Sequence, residues 1–239
     1  RGGADASSFA TVESFAFADG TVLTMGDVQE LMFALRGNAS SDLVDGSTID
    51  PRFPIAPGAG FDAVKLVATS KYAFARGDGI DTLSLLQNAV AGSEIRISDY
   101  SAAEVTVRLA AQGSTDLVVN FPETGDAIIL KNALGAGVTF PDIIFADGTV
   151  WNRTALVQAA VAAQSSDRDD LIRVSANLSA TIAGGLGDDE IQGGTANDVY
   201  LFTRGDGQDV ITDPGGSGDR LDIRGYTAAD IKAARLETG

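Results

Sequence analysis

Glycine and aspartate recur at a fixed spacing in the second half of the chain, and their oxygens could hold a cation. Residues 184–192 fit the nonapeptide pattern Gly-Gly-x-Gly-x-Asp-x-U-x, in which U is apolar, at each specified place. Residues 193–201 depart from it only at the fourth place, and residues 204–212 only at the first. Residues 170–172 keep the aspartate and the apolar position without the glycines. Carboxylate and carbonyl oxygens are the ligands that Ca²⁺ prefers.

The amino-acid composition excludes most other kinds of catalytic or metal-binding site. The 239-residue chain has no histidine and no cysteine, which excludes Ser-His-Asp and Cys-His nucleophiles, thiol redox chemistry and nearly all structural zinc sites. Hard, oxygen-ligated metals remain, with Ca²⁺ first. The net charge of −16 disfavours a nucleic acid or an anionic membrane surface as partner. The sequence shows no Sec-type signal and no apolar run long enough to predict a membrane span.

Nine residues suffice for one tight turn and one short strand. Glycines allow positive φ and a close approach between turns, so their carbonyls can face an ion. Side chains alternate along a strand, so the residue two places after each aspartate faces the interior. These residues are Ile191, Tyr200 and Ile211. Two nonapeptides make one coil of about 18 residues, and we expect a cation between each turn and the next turn stacked on it.

Three blocks of sequence recur in the same order about 128 residues later. They are 17–22 and 145–150, 72–81 and 200–209, and 97–105 and 223–231. We therefore predict a first unit, residues 1–142, with a degenerate roll at about 55–86 and a hairpin block at 95–134. A second, truncated unit, residues 143–239, holds a better roll at about 166–213 and the start of a hairpin block.

Local patterns predict other elements around the nonapeptides. The recurring Phe-Ala-Asp-Gly-Thr-Val block predicts a hairpin with an Asp-Gly turn. Alternating apolar residues predict strands, and helical spacing behind a capping residue predicts helices. The strands are 104–109, 116–121 and 127–130, and the helices are Met25–Leu35, Arg153–Ala163 and Ala228–Leu236.

The nonapeptide run resembles the repeats-in-toxin (RTX) haemolysin-type calcium-binding family, and the blocks around it resemble haemolysin-type calcium-binding-related segments between such rolls. The resemblance covers nearly the whole chain. It implies a mainly β fold, in which calcium-binding parallel β-roll segments are flanked by β-hairpins and short helices, built from a repeat of about 128 residues. It also implies a large exported protein that leaves by type I secretion and folds outside the cell on binding Ca²⁺.

The resemblance also implies which residues hold Ca²⁺, through aspartate carboxylates and through backbone carbonyls near the glycines. In the second unit the implied residues are Asp170, Gly184, Gly185, Gly187, Asp189, Gly193, Gly194, Asn197, Asp198, Gly205, Gly207 and Asp209. In the first unit they are Gly58, Gly60, Asp62, Gly77, Gly79 and Asp81.

Spacing predicts that the aspartates of the second unit form one complete column and one ragged column. Asp170, Asp189 and Asp209 are spaced by 19 and 20 residues, about one coil apart. Asp198 has no carboxylate 18–20 residues before it, and Asp219 is only a loose match after it. We therefore expect good calcium binding on the first side of this roll and incomplete binding on the second.

The first unit keeps fewer ligands. Asp62 and Asp81 keep their places and are expected to share one weak Ca²⁺ site. Residues 68–71, which end in Lys71, fall where Asp198 falls in the second unit. A lysine repels a cation, so we expect no ion on that side of the coil.

We interpret the chain as a Ca²⁺-binding module of a secreted bacterial protein, a toxin or adhesin fragment located outside the cell or at its surface. Its expected partners are calcium ions, with no catalytic activity in this fragment. Because the chain starts abruptly at Arg1 and its second unit stops at Gly239, we expect it to be part of a longer chain.

Two alternatives stay open. The first is a Ca²⁺-dependent adhesive or carbohydrate-recognising surface domain, with a glycan or cell-surface partner near Trp151, Tyr100 or Tyr226. Trp151 is explained more simply as a core or cap residue. The second is a calcium-triggered self-cleaving or hydrolytic fragment, with Asp50–Pro51 and Asp213–Pro214 as cleavable bonds.

Overall fold

The structure is a computed structural model, and its described part is mainly β, with short strands joined by tight turns. It describes residues 14–24, 27, 39–49, 53–85, 92–111, 113–135, 138, 141–174 and 178–234. The strands stack as parallel coils of a β-solenoid, which confirms the predicted mainly β fold and is consistent with a β-roll. The repeat of about 128 residues stays a prediction. The first described elements are β1 (Ser14–Ala16) and β2 (Val22–Thr24), which pair as an antiparallel hairpin.

The first roll is a stack of coils over residues 42–97, in which each coil gives one strand to each of two sheets. One sheet holds β3 (Leu43–Asp45), β5 (Ala63–Leu66) and β7 (Ile80–Leu85), and the other holds β4 (Pro54–Ile55), β6 (Lys71–Phe74) and β8 (Glu94–Ile97). Neighbouring strands are parallel and in register. Apolar residues therefore stack in two buried interior rows, which are Val44, Val64 and Leu83, and Ile55, Tyr72 and Ile95.

A capping block, residues 102–151, closes the first roll. It contains β9 (Thr106–Leu109), β10 (Leu117–Phe121), β11 (Asp126–Lys131), β12 (Asp142–Ile144) and β13 (Val150–Trp151). β11 pairs in parallel with β7 and antiparallel with β10, and β12 pairs in parallel with β8 and antiparallel with β13. The antiparallel partners end both stacks of parallel strands. The pairing of β9, β10 and β13 confirms the predicted hairpins.

Helix α1 (Arg153–Ala162) follows the capping block and confirms the predicted second helix. The Asn152 carboxamide oxygen accepts a hydrogen bond from the Ala155 N–H at 3.0 Å, which caps the first turn. The inward face is apolar and buried, as the helical spacing predicts. It consists of Leu156, Val157, Ala160 and Val161, and it packs against β9, β13 and the start of the second roll.

The second roll occupies residues 166–224 and has the same construction. One sheet holds β14 (Leu171–Arg173), β16 (Glu190–Gln192) and β18 (Val210–Thr212), and the other holds β15 (Thr181–Ala183), β17 (Val199–Thr203) and β19 (Arg220–Arg224). Ile191 and Tyr200 are buried in the interior rows, as predicted. Ile211 continues a row but is 36% exposed, because β18 is the last strand of its sheet.

Some expectations about the helices are corrected or lie outside the described residues. The predicted helix Ala228–Leu236 is wrong: only a 3-10 turn, Ala228–Asp230, forms, and residues 231–234 after it are not helical. The Thr227 and Asp230 side chains close this turn with a capping box, which the sequence pattern cannot distinguish from a helix start. The helix Met25–Leu35, except Asp27, and the bond Asp50–Pro51 lie outside the described residues.

Candidate metal sites

Each roll stacks aspartates at the point where a turn enters a strand. We call these stacks the first column (Asp42, Asp62 and Asp81), the second column (Asp170, Asp189 and Asp209) and the third column (Asp198 and Asp219). In the first column each Oδ1 accepts a hydrogen bond from the backbone N–H of the aspartate one coil earlier, at 2.7 and 3.2 Å. The second column repeats this at 2.8 and 3.2 Å. One carboxylate oxygen of every aspartate after the first in each of these two columns is thus used to join coils.

The second carboxylate oxygen has no such partner at the centres of two columns. Asp62 is 1% exposed and Asp189 is 2% exposed, and the Oδ2 atom of each accepts no hydrogen bond from any described residue. The Oδ2 atom of Asp42, at the start of the first column, is in the same condition. A buried anionic oxygen without a donor strongly destabilises a fold unless a cation neutralises it. A divalent cation with oxygen ligands therefore fits both columns.

Glycines allow the turns of successive coils to touch backbone to backbone. Gly79 has φ of +89° and Gly207 has φ of +126°, in the region that favours glycine. A Cβ atom at Gly79 would collide with the Gly60 carbonyl oxygen, and one at Gly207 with the Gly187 carbonyl oxygen. Gly184 is required for space, because a Cβ there would overlap the unpartnered oxygen of Asp189. These contacts stack the glycine turns that precede the column aspartates directly on one another.

The remaining predicted glycines fall into two groups. Gly58, Gly77, Gly185 and Gly205 have positive φ, like the glycines above. Gly193 has no positive φ but is required for space, because a Cβ would collide with the Tyr200 hydroxyl. The Gly194 N–H donates to Asp198 Oδ2 at 2.8 Å, so this backbone group stabilises the carboxylate directly.

The last aspartate of the first column, Asp81, accepts hydrogen bonds on both of its carboxylate oxygens. Its Oδ1 accepts the Asp62 N–H. The Tyr72 hydroxyl donates to Asp81 Oδ2. Burial raises the pKa of Asp81 to about 7, and the Tyr72 hydrogen bond opposes this increase. On the other side of the same coils, Ser70 is buried and its Oγ accepts a hydrogen bond from the Val67 N–H at 2.9 Å. The Ser70 hydroxyl therefore closes this turn, whereas the Asp198 carboxylate closes the corresponding turn of the second roll.

The third column gathers more carboxylates than its spacing indicates. Ligand oxygens of Asp198, Asp213 and Asp219 all lie within 4.8 Å of one another, with Asp198 buried and the other two exposed. Asp219 Oδ1 accepts the Asp198 N–H at 2.9 Å, so Asp219 is stacked although it follows 21 residues later. The Tyr200 hydroxyl donates to Asp213 Oδ2 at 2.7 Å. Our expectation of a ragged column treated Asp219, which lies 21 residues after Asp198, as a loose match, and it overlooked Asp213, which lies 15 residues after Asp198.

Three other residues implied as ligands are used in hydrogen bonds to the backbone. Asp170 Oδ2 accepts the Ser166 N–H at 2.6 Å, which closes the first turn of the second roll. Asn197 Oδ1 accepts the N–H groups of residues 217 and 218, each at 3.0 Å. Asp209 is less buried than Asp189, and burial raises its pKa. Asn197 therefore positions the next turn, and its amide oxygen is already satisfied there.

The capping block closes the top of the first column with protein groups. Asp126, which the sequence analysis missed, accepts hydrogen bonds from the Gly77 N–H at 2.8 Å and the Gly79 N–H at 3.2 Å. The Tyr100 hydroxyl donates to Asp126 Oδ2 at 2.6 Å. Burial raises the pKa of Asp126, but these donors outweigh burial and the net pKa is lowered. The Arg76 guanidinium lies 4.3 Å above the Tyr100 ring and adds positive charge there.

Comparison with known proteins gives one family match. Residues 116–155 match the model of the haemolysin-type calcium binding protein related domain, and no curated protein matches the chain. The matched residues span β10 to the start of α1, which is the capping block and not the aspartate columns. In the described part of the chain, no helix is both long and apolar enough to cross a membrane. The family match and the stacked parallel coils are together consistent with an RTX-like calcium-binding family.

Proposed function

We propose that the chain is a calcium-dependent folding module, in which Ca²⁺ bound along the aspartate columns completes the two rolls. The observation that carries this proposal is the pair of unpartnered carboxylate oxygens on Asp62 and Asp189, which are 1% and 2% exposed. A third group, at Asp198, Asp213 and Asp219, offers carboxylates within 4.8 Å of one another. Oxygen-only donor sets of this kind suit Ca²⁺.

The chain's own residues divide the work at each column. At Asp62 and Asp189, Oδ1 joins coils through a backbone N–H, and Oδ2 is available to an ion together with carbonyls of the glycine turns. Without a cation, stacked carboxylates repel one another, and glycine-rich turns lose much backbone entropy on folding. Bound Ca²⁺ removes the repulsion, so its binding free energy becomes folding free energy.

From the resemblance to the RTX family we also propose where in the cell's surroundings the protein folds. Families of this kind are typically extracellular and generally non-enzymatic, and we propose that the module belongs to a larger protein exported by type I secretion. Low cytosolic Ca²⁺ would leave the rolls unfolded for export, and external Ca²⁺ would fold them. We propose no catalytic role for the acidic residues, because those at the columns are used in coil stacking.

The contacts of the aromatic residues favour the metal-binding proposal over a carbohydrate-binding surface. Tyr100 is 1% exposed and its hydroxyl is bonded to Asp126. Trp151 packs edge-on against Phe145, with ring centroids 4.7 Å apart. Neither ring is a free platform for a sugar. Tyr226 is partly exposed, but its ring is covered by the Arg204 guanidinium at 4.1 Å.

A calcium titration with matched variants tests the proposal. Far-ultraviolet circular dichroism is recorded while Ca²⁺ is raised through about the millimolar range expected of extracellular modules, and then after chelator is added. We expect the β signal to rise with Ca²⁺ and to fall with chelator. Asp189→Asn should shift the midpoint to higher Ca²⁺. Glu190→Gln removes the same charge from the exposed neighbour and should not. Spectra unaffected by both Ca²⁺ and chelator would refute the proposal.

A further inference from the structure

The two ends of the second roll are finished differently. At its start, the Gln158 side chain of α1 exchanges two hydrogen bonds with the backbone of Thr181 on β15. The Gln164 side chain does the same with Arg173 on β14. Both first strands therefore have their edges blocked. We call the opposite surface, formed by β18, β19 and residues 204–207, the open end, because no described strand pairs with it.

The open end exposes side chains and backbone groups that the first roll buries at the same places. Leu83, Ile95 and Ile97 are each 0% exposed, because β11 and β12 cover them. The matching residues at the open end are Ile211, Leu221 and Ile223, which are 36%, 50% and 37% exposed. Exposed apolar strand edges of this kind are templates for pairing with another segment.

The turn at the open end also lacks the carboxylate that closes the first roll. The Gly77 and Gly79 N–H groups donate to Asp126. The corresponding N–H groups of Gly205 and Gly207 meet no acceptor among the described residues. Two backbone donors side by side, with an arginine next to them, make a place for an anion.

The arginine and tyrosine that lie beside Asp126 in the first roll have counterparts at the open end. The Arg204 guanidinium lies 4.1 Å above the Tyr226 ring, and Arg76 lies 4.3 Å above Tyr100. Tyr100 donates its hydroxyl to Asp126, whereas no hydrogen bond to the Tyr226 hydroxyl is made within the described chain. The open end thus reproduces the surface on which the capping block sits in the first roll.

We propose that the open end is a docking site for a polypeptide segment with the chemistry of residues 116–145, supplied by another repeat unit. Its aspartate accepts the N–H groups of Gly205 and Gly207, and the strand that follows pairs in parallel with β18. A second strand pairs in parallel with β19, as β12 does with β8. This interaction surface is additional to the calcium sites and has a different partner.

A second copy of this chain is a poorer occupant. Its own residues 126–131 and 142–144 are already paired within its first roll. The hairpin β1–β2 resembles β12–β13 in sequence and is exposed, so it offers a strand for β19. It offers neither a strand for β18 nor a carboxylate in the place of Asp126.

The test uses the full chain in calcium and a fluorescently labelled synthetic peptide of residues 116–145, with binding followed by anisotropy. We expect saturable binding that Leu221→Lys weakens about tenfold or more, since it places a charge where a leucine is to be buried. Leu186→Lys is the matched control, because Leu186 has the same exposed fraction of 50%, and it should leave binding unchanged. A peptide with Asp126→Asn should also bind more weakly.

Circular dichroism in calcium shows whether each variant is folded, and Val210→Lys replaces Leu221→Lys if the latter is not. The proposal is overturned if the peptide does not bind, or if the Leu221 and Leu186 variants bind it equally. It is also overturned if the chain associates with itself without peptide and Leu221→Lys abolishes that association. The last outcome would assign the open end to a second copy.

Discussion

Asp189→Asn tests separately the two proposed roles of a column aspartate, which are to join coils through Oδ1 and to bind an ion through Oδ2. Asparagine has nearly the same shape, so it fits against Gly184, and its Oδ1 can still accept the Asp170 N–H that Asp189 accepts at 2.8 Å. The change removes the buried negative charge and replaces Oδ2, which accepts no hydrogen bond from any described residue, with an uncharged amide NH2 group. It should therefore stabilise the metal-free protein and weaken calcium binding.

The burial of the Asp189 carboxylate sets the expected size of the changes in metal-free stability and in calcium binding. Removing an unsatisfied buried charge while the coil-joining hydrogen bond is kept should raise the free energy of unfolding in chelator by about 1–3 kcal/mol. Calcium at about 100 times its dissociation constant stabilises the wild-type chain by about 2.7 kcal/mol per ion. A variant that binds about 100 times more weakly gains only about 0.4 kcal/mol under the same conditions.

Urea unfolding in calcium and in chelator, followed by circular dichroism, measures both quantities. We expect the calcium response of Asp189→Asn to be a small fraction of the wild-type response, and the variant to be the more stable protein in chelator. Glu190→Gln, on the exposed face of the same strand, should keep the wild-type calcium response. The reasoning fails if Asp189→Asn is the less stable protein in chelator and responds to calcium as the wild type does.

Three further predictions concern the first roll. Gly79→Ala should lower the free energy of unfolding in urea by about 2 kcal/mol or more, because the new Cβ collides with the carbonyl of the neighbouring coil. Gly77 also has positive φ but has open space around it, so Gly77→Ala should lower the free energy of unfolding by only about 1 kcal/mol. Asp126→Ala should lower stability by about 3 kcal/mol in calcium and in chelator alike, since it leaves the Tyr100 hydroxyl and two N–H groups unsatisfied; a loss seen only in calcium would contradict this. Because the folded-state pKa of Asp81 is raised to about 7, the metal-free protein should become more stable as the pH falls from about 7 to 4, and Asp81→Asn should flatten that part of the urea-midpoint profile.

The nonapeptide pattern predicted the rolls, the stacking of Asp62 and Asp81, and the stacking of Asp170, Asp189 and Asp209, but it did not predict Asp42 at the start of the first column. Glycines that permit touching turns, an aspartate and an apolar residue two places later dictate one turn and one strand each. The interior rows through Ile191 and Tyr200 follow from that spacing alone. Helix α1 was also predictable, because its Asn152 cap and buried face are local features. The division of the chain into units 1–142 and 143–239 stays a prediction.

The residues that the sequence analysis missed come from segments without the pattern. Asp126 reaches the first column because β11 pairs antiparallel with β10 and in parallel with β7 at the same time. Alternating apolar residues predict that β11 is a strand, but they do not specify its second neighbour. Asp213 is similar, since it reaches Asp198 only because the last turn of the second roll is longer than one nonapeptide. Carboxylates from such distant segments become visible only when the pairing of the strands is known.

The two rolls differ in how the end of each aspartate column is closed. The first column is closed by protein groups, because Tyr72 donates to Asp81 and the capping block supplies Asp126 for the last turn. The second column has an unpartnered oxygen at Asp189 and ends at the more exposed Asp209. Both columns nevertheless keep buried carboxylate oxygens without a protein donor among the described residues, at Asp42 and Asp62 in the first column and at Asp189 in the second. The family match also falls on the capping block, which supplies the hydrogen bonds of Asp126 to the last turn of the first roll. We therefore expect removal of calcium to destabilise both rolls, although only the first column has an end that protein hydrogen bonds close.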